Sequence, residues 1–590
     1  MVAFPKSPPR LVSKPFSHAA SFYATLGTLS VLLWVLGSYS NNSGLPTYPR
    51  FFSLKEIRHI ASSYNKYTPL QAKKSREPAV SFYTANDIIN ALRSVTALAA
   101  SSGAEELFEE EEEDQWHMEN PCRSRWELPM MYASRNIAQD LVSNPAWEEV
   151  FEEYTTMHRT CMSQMGNVTE RFLSKTSNAT GCKFLIVELP KVGLGNKILF
   201  KASAMLFAIL TQRVILILDN LNITDHLCEP FVGSSWNLKD AIGVHDYRDF
   251  WHTRSDFQLW VDKTEYKNPT QVDELHAVDF GDRFQPLDRY YCNTEQAYMS
   301  RVPWISMSGC VYFLPKLFAI PAFRLALEDM FPDRMALTHV LRTVFLPSDH
   351  IWERIDDIND LYLRHTQSLV GVQLRYFQHL PQYKKMNDLV NQRVLQCVTT
   401  NKLLPTALPA GEFNDYNHHQ RNTSKVFIAS LFPGLHDYLS EIYVKRMTAT
   451  GDGLGLVQLT HESEAQHFGS EDVEAFVEII CLSLSDALLV TPVSTFGGLA
   501  QAYGALRPWF INVDDDGGPA CARAKSVDVC FDQAAETFIC PHDPDVHGLS
   551  VLDSVPYMQK CLTKDNMGMQ LVTEHESNPT SPPHPSNAYT

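Results

Sequence analysis

The fold is decided by residues 183–218, with the sequence KFLIVELPKVGLGNKILFKASAMLFAILTQRVILIL. A short apolar run, Lys183 to Leu189, leads into a glycine-rich turn, and a helical pattern from Ile198 to Leu210 precedes a second apolar run, Val214 to Leu218. Strand, turn, helix and strand at this spacing predict a βαβ unit, because two largely apolar strands suit a parallel sheet that is buried on both faces. We therefore expect an α/β fold.

A second region of the same kind lies further along the chain. Apolar runs predict strands at residues 370–374, 426–431, 454–459 and 486–490. Between Val473 and Cys481 the apolar residues keep the i, i+3, i+4, i+7 spacing of an amphipathic helix. The sequence thus predicts two doubly wound domains, whose ligands are expected at the carboxyl ends of the strands.

The composition excludes some classes of protein. Hydrophobic residues make up 44% of the 590 residues, which is too many for a disordered chain. Fifty basic and 68 acidic residues give a net charge of −18, which repels phosphate backbones and argues against a nucleic-acid partner. A local basic pocket for one small phosphorylated ligand is still compatible with this charge.

The N-terminus has the pattern of a membrane anchor. Lys6, Arg10 and Lys14 precede an uncharged stretch at residues 19–38. About 20 residues of helix span a bilayer core of about 30 Å, so we predict one transmembrane helix. Because positive flanking residues stay in the cytosol, the bulk of the chain is expected to be lumenal, as in a type II membrane protein. A signal peptide cleaved after Leu36-Gly37-Ser38 is the alternative.

Two other features agree with a lumenal location. The chain has 12 cysteines and none of the late ones is spaced as CxxC, so disulfides are a better expectation than zinc. Their pairing cannot be derived from spacing. Five glycosylation acceptors are predicted, at Asn41, Asn167, Asn178, Asn222 and Asn422.

We divide the chain into seven segments. They are a cytosolic tail (1–18), a transmembrane anchor (19–38), a stem with an acidic run (39–154), an N-terminal Rossmann-like acceptor-side domain (155–345), a C-terminal donor-binding domain (346–515), a Cys-rich segment (516–572) and a disordered tail (573–590). The acidic run at residues 109–114 is expected to be a solvated, extended segment.

The glycine turn is the first candidate binding element, with Gly193, Gly195 and Asn196. Glycines let a backbone approach a ligand closely, and the N-terminus of the following helix attracts anions. The turn lacks the third glycine of a dinucleotide-binding fingerprint, so a plain tight connection is the simpler explanation from these residues alone.

Other candidates follow predicted strands. Arg375 comes directly after the strand at 370–374 and can grip two phosphate oxygens, with an interdomain salt bridge as the alternative. His461 and Glu462 follow the strand at 454–459 and could supply a general base, or only hydrogen bonds.

The last candidates lie at a strand-to-helix junction and in a turn beyond it. In Ser494-Thr495-Phe496-Gly497, the hydroxyl that caps the helix can also help to hold a diphosphate. The acidic run Asp514-Asp515-Asp516 resembles the metal motif of some nucleotide-sugar enzymes, but it stands in an expected surface turn, and no metal site is predicted.

Taken together, several stretches resemble the plant cell-wall fucosyltransferases of the xyloglucan α-1,2-fucosyltransferase family. They are GLGNKILFKASAMLFAILTQRVILI (193–217), CEPFVGSSW (228–236), FLPKLFAIPAF (313–323), VGVQLRYF (370–377), NQRVLQCVTTNKLLP (391–405), THES (460–463) and LSLSDALLVTPVSTFGGLAQAYGALRPWFI (482–511). With the Cys-rich tail, the resemblance covers roughly residues 155–572.

This resemblance implies a Golgi type II enzyme with a GT-B-like pair of Rossmann-type domains. It implies transfer of fucose from GDP-fucose, with inversion and without a metal, to a galactose of a cell-wall glycan such as xyloglucan or arabinogalactan. Arg375 matches the arginine that neutralises the diphosphate, and His461 and Glu462 match the family's histidine-glutamate segment. The turn from Ser494 to Gly497 matches the segment beneath the nucleotide, and the glycine turn matches the loop that faces donor sugar and acceptor.

The chain also departs from the family pattern. Lys197 stands where the family usually has arginine, and Ser463 and Glu464 stand where a glycine and an aromatic residue usually follow. Two other functions therefore stay open: an inactive lumenal glycan-binding scaffold of the same fold, and a metal-dependent nucleotide-sugar transferase that uses Asp514 to Asp516.

Overall fold

The structure is a computed structural model of the whole chain. It describes residues 82–101, 121–135, 143–164, 181–188, 192–218, 224–238, 275–279, 292–375, 383–408, 423–431, 434–443, 448, 453–459, 470–492, 494–514, 517–530, 537–540, 543, 545–561 and 568–572. The predicted cytosolic tail, anchor, acidic run, C-terminal tail and all five glycosylation asparagines lie outside these residues. Within them, none of the helices combines the length and the apolar character that crossing a membrane requires.

Twelve strands are described. They are β1 (Lys183–Glu188), β2 (Arg213–Leu218), β3 (Leu275–Asp279), β4 (Trp304–Ser308), β5 (Ser368–Leu374), β6 (Thr423–Ser430), β7 (Gly453–Gln458), β8 (Ala487–Val490), β9 (Trp509–Ile511), β10 (Cys521–Arg523), β11 (Met558–Lys560) and β12 (Met569–Leu571). Three sheets result from them, two of which are mainly parallel.

The described α-helices surround these sheets. They are α1 (Ala85–Ala100), α2 (Ser124–Ser134), α3 (Pro145–Ser163), α4 (Leu194–Leu210), α5 (Asn293–Met299), α6 (Leu314–Leu317), α7 (Pro321–Met330), α8 (Ala336–Val344), α9 (Asp349–Ile358), α10 (Tyr383–Thr400), α11 (Gly434–Tyr443), α12 (Ser470–Ser483), α13 (Thr495–Gly504) and α14 (Val551–Ser554). A π-helical turn, Asn359–Leu363, continues α9. The α/β class predicted from the sequence is confirmed.

The first sheet has the strand order β2-β1-β4-β3, and all of its pairs are parallel. The predicted βαβ unit is β1, α4 and β2, and every residue of β2 is buried. Helix α4 is buried along its whole length apart from Asn196, as expected for a helix with apolar residues on all sides. Only its amino end reaches the surface, where the N-cap residue Gly193 is exposed.

The second sheet has the order β10-β9-β8-β5-β6-β7, in which only β10 is antiparallel to its neighbour. The chain runs outward from β5 through β6 to β7, and then returns to the other side of β5 to form β8 and β9. The strand order therefore reverses between β5 and β8, and ligands of open α/β sheets bind at such a switch point.

Part of the predicted stem belongs to the folded body. Helices α1 and α2 and the part of α3 up to residue 154 lie within the range assigned to the stem, yet Trp147 and Tyr154 of α3 are fully buried. A disulfide ties Cys122, just before α2, to Cys228. The buried residues of α1 and α3 keep helical spacing along one face, so these helices pack on the folded body. The other domain boundaries stay predictions.

Five disulfides are present, as the cysteine content predicted. They join Cys122 to Cys228, Cys161 to Cys182, Cys292 to Cys540, Cys397 to Cys521, and Cys530 to Cys561. Two of them span 248 and 124 residues of sequence, so they close long loops in the unfolded chain. Cys310 and Cys481 are not disulfide-bonded.

A buried carboxyl group joins the Cys-rich segment to the body. The Tyr312 hydroxyl donates to Asp528 Oδ1 at 2.7 Å, and the Leu571 amide donates to Asp528 Oδ2 at 2.9 Å. Burial raises the pKa of the Asp528 carboxyl from 3.8 to about 7, although both hydrogen bonds act in the opposite direction. The ionised form therefore costs free energy in the folded protein.

This carboxyl group should make stability depend on pH. Because the folded protein holds the Asp528 proton more tightly than the unfolded chain does, the free energy of unfolding should fall as the pH rises from about 4 to about 7, by at most roughly 4 kcal/mol. Denaturant unfolding of the wild type and of Asp528→Asn would measure this effect. We expect the unfolding free energy of the wild type minus that of the variant to decrease from about pH 4 to about pH 7. A difference that is constant from acid to neutral pH would contradict the raised pKa of Asp528.

Candidate functional site

The candidate site lies where the carboxyl ends of β5 and β8 meet. Arg375 follows β5 and Thr491 follows β8, on either side of the switch point of the second sheet. The Arg375 amide donates to Thr491 Oγ1 at 3.0 Å, and the Thr491 amide donates to the Gln373 carbonyl at 3.1 Å. These bonds fix the backbone of Arg375, whose side chain is half-buried.

Helix α13 begins beside Arg375. Ser494 is its N-cap, and the Ser494 hydroxyl accepts a hydrogen bond from the Gly497 amide at 3.4 Å. A β carbon on Gly497 would come within 2.9 Å of both Gln373 Oε1 and Val490 Cγ1, so glycine lets the first turn of α13 pack directly on the two strand ends. The capping interpretation of Ser494 is confirmed, and Thr495 and Phe496 remain partly exposed in the same turn.

Helix α4 begins at the corresponding place in the first sheet. Its N-cap is Gly193, which follows β1 and has an extended backbone with φ −62° and ψ 154°. No side chain among the described residues caps this end by a hydrogen bond. The helix starts four residues earlier than the pattern from Ile198 predicted, so Gly195 and Asn196 lie inside its first turn. First-turn amides have no partner within their own helix and favour a negatively charged group.

The two helix N-termini meet. A β carbon on Gly195 would lie 2.7 Å from Thr495 Oγ1 and 2.9 Å from the Thr495 carbonyl carbon, distances that real side chains do not show. The structure therefore brings together the glycine turn, Arg375 and the turn from Ser494 to Gly497, which are far apart in the sequence. Two helix N-termini that meet beside the strand end carrying Arg375 are the groups from which a site for an anion with several oxygens is built.

Most of the remaining candidate residues lie outside the residues that the structure describes. His461 and Glu462 fall in the segment 460–469, and Asp515 and Asp516 are likewise outside the described residues. In the described part of the chain, no group of three or more His, Cys, Asp or Glu side chains is arranged to hold a metal ion.

Thr491 and Gln373 were not predicted from the sequence. Thr491 carries the same signal as Arg375, because each directly follows an apolar strand. The pairing of β5 with β8 places Thr491 next to Arg375. Because these strands are more than 100 residues apart, the local sequence does not show that the two residues are neighbours.

Comparison with known proteins shows the family of the chain. The family described as xyloglucan fucosyltransferase matches residues 118–540. "Probable fucosyltransferase 4" of Arabidopsis thaliana is 27% identical over 77% of this chain and 86% of its own length. The "Galactoside 2-alpha-L-fucosyltransferase" of Pisum sativum is 28% identical over 70% of this chain and 74% of its own. A solved structure of an Arabidopsis thaliana FUT1 mutant in complex with GDP has 26% identity and a TM-score of 0.59, covering 71% of this chain and 92% of that one.

The contact between the helix N-termini should tolerate no side chain at residue 195. In Gly195→Ala the new methyl group must push α4 away from the Thr495 backbone, so we expect a loss of about 1–3 kcal/mol in unfolding free energy, measured by denaturant titration.

The matched control is Gly193→Ala, since a β carbon there meets nothing within 4 Å and its φ of −62° suits alanine. We expect this control to lose less stability than Gly195→Ala. Equal losses in the two variants would show that the approach to Thr495 is not tight.

Proposed function

We propose, since this chain belongs to the xyloglucan fucosyltransferase family, that it moves fucose from GDP-fucose to a galactose of a cell-wall glycan, forming an α-1,2 link with inversion. The chain is a fucosyltransferase; the donor, the acceptor and the linkage are the proposed parts. The observation that carries the proposal is the meeting of the N-termini of α4 and α13 next to the switch point between β5 and β8, where Arg375 follows β5. The relative whose structure contains GDP supports the choice of donor.

The diphosphate of the donor, in this proposal, lies against the first turn of α13. Arg375 binds two of its oxygens through the guanidinium fork, and the amides after Ser494 add the positive end of a helix dipole. The fucose then extends towards the start of α4, where a β carbon on Gly193 would meet nothing within 4 Å and the backbone is open to a sugar. The site thus concentrates positive charge where the leaving group gains negative charge.

Fucosyl transfer breaks one bond to C1 of fucose and forms another. The bond between C1 of fucose and the β-phosphate oxygen breaks, and GDP leaves with that electron pair. The acceptor hydroxyl forms the new bond to C1 from the opposite face, which inverts the configuration, and its proton passes to a base or to water. Stabilising the charge on GDP is the main catalytic task, because the transition state resembles an oxocarbenium ion.

Arg375 and the helix N-termini can perform this task without a metal, so we propose metal-independent transfer. Glu462 is the proposed base and His461 its neighbour in the same segment. The GT-B-like arrangement, the Golgi location and the type II anchor at residues 19–38 belong to the proposal as well. Transfer that EDTA abolishes would contradict its metal-independent part.

The role of Arg375 is testable by substitution. Loss of a charge-assisted bidentate contact costs about 1.5–3 kcal/mol, so Arg375→Ala should weaken GDP binding about 10- to 100-fold and abolish detectable transfer. Calorimetric titration with GDP measures the first effect. Mass spectrometry of a galactosylated xyloglucan oligosaccharide after incubation with GDP-fucose measures the second.

Arg364→Ala is the matched control. Arg364 lies before β5, at the opposite end of the strand from Arg375, and its guanidinium forms an exposed ion pair with Asp360 at 2.9 Å. We expect this variant to bind GDP and turn over like the wild type. Wild-type GDP affinity in Arg375→Ala would remove the arginine from the donor site.

The proposed base can be tested through the pH profile. Glu462→Gln cannot accept a proton, so we expect slower transfer and loss of the acid limb in the pH dependence of kcat, while GDP affinity stays unchanged. A variant that keeps the wild-type limb and rate would exclude Glu462 as the base.

A further inference from the structure

Lys197 and Asp472 form a buried ion pair beside the donor site. Lys197 lies in the first turn of α4, and its Nζ is 3.0 Å from Oδ2 of Asp472, which lies in the first turn of α12. The Lys197 side chain is 0% exposed and that of Asp472 is 9% exposed. The two residues are 275 positions apart, so the pair joins the helix that follows β1 to a helix that packs on the second sheet.

The helix dipole disfavours the charge of Lys197 in α4 and favours the charge of Asp472 in α12. A cation near a helix N-terminus is disfavoured by the helix dipole, and Lys197 occupies such a position in α4. A carboxylate near a helix N-terminus is favoured, and Asp472 occupies that position in α12. The lysine is therefore unfavourable for α4 as an isolated helix, and the carboxylate of Asp472 offsets its charge only when the two helices are together.

The ion pair is also next to the contact that assembles the site. Lys197 is two residues after Gly195, whose backbone touches Thr495 at the start of α13. Helix α12 packs along α13, so Asp472 and Thr495 belong to one packed unit. A change in the distance between Lys197 and Asp472 would therefore move Gly195 relative to Thr495.

We propose that the Lys197–Asp472 ion pair sets the approach of the α4 N-terminus to the α13 N-terminus, and is thus a positioning pair for fucosyl transfer. Lys197 is not a phosphate ligand in this proposal, because its Nζ has no exposed surface and already donates to a carboxylate. The inference rests on the proposed donor site. It adds the ion pair that holds the N-termini of α4 and α13 in place relative to each other. A buried pair of this kind has a directional requirement that an apolar contact lacks.

The test uses single variants and a double variant of the full chain. Lys197→Met and Asp472→Asn each leave one buried charge without its partner, so both should unfold at a lower temperature. A displacement of about 1 Å in a reacting site can cost about 100-fold, so we expect kcat/KM for GDP-fucose to fall by about that factor, with kcat affected more than the GDP dissociation constant.

The double variant separates positioning from stability. Lys197→Met with Asp472→Leu replaces both charges by apolar groups of similar size, which often restores stability. We expect this variant to recover the wild-type unfolding temperature but to keep the low kcat. Recovery of both quantities would overturn the proposal, since the pair would then act only on stability, and so would wild-type kcat/KM in Lys197→Met.

Glu474→Gln is the control on the same helix. Glu474 is two residues after Asp472, and its carboxylate pairs with Arg354 at 2.9 Å on the surface. Exposed pairs contribute little, so kcat/KM should stay within about twofold of the wild type; a fall equal to that of Asp472→Asn would overturn the assignment to the buried pair. Failure of the donor site itself is distinguishable, because it would leave GDP affinity unchanged in Arg375→Ala.

Discussion

The contact between Gly195 and the Thr495 backbone is the constraint on which the site depends. It requires a residue without a side chain at the start of α4, since a β carbon would lie 2.7 Å from Thr495 Oγ1. With that contact in place, two helix N-termini lie together next to the strand end that Arg375 follows. The N-termini of α4 and α13 are held in place before a ligand arrives, so binding of an anion there needs little reorganisation of the protein.

The two sheets supply the geometry of this contact. Each parallel sheet sends a helix back from the carboxyl end of a strand, α4 after β1 and α13 after β8. In the second sheet the strand order reverses beside β8, which opens the crevice and leaves Arg375 and Thr491 on its two sides. The buried charges of Lys197 and Asp472 lie close to this contact, since Lys197 is two residues after Gly195, and closely packed interiors relax little around a change.

The sequence predicts this framework well where local pattern is sufficient. The apolar runs of β1, β2, β5 and β8 and the cap at Ser494 follow from residue type and spacing, and the resemblance to plant fucosyltransferases is confirmed by the family match. Short strands such as β9 and β10 were missed because three residues carry little periodicity. Helix α3 was missed although its buried residues, from Trp147 to Cys161, keep the spacing of an amphipathic helix. The Lys197–Asp472 pair and the role of Thr491 depend on contacts between distant segments, which no local pattern contains.

A crystal structure with GDP bound tests the central claim most directly. The diphosphate is expected within hydrogen-bond reach, about 3 Å, of the Arg375 guanidinium and of the first-turn amides of α13. The guanine and ribose are then expected along the carboxyl ends of the second sheet. A diphosphate held away from Arg375, or at the amino ends of β5 and β8, would contradict the assignment of the site.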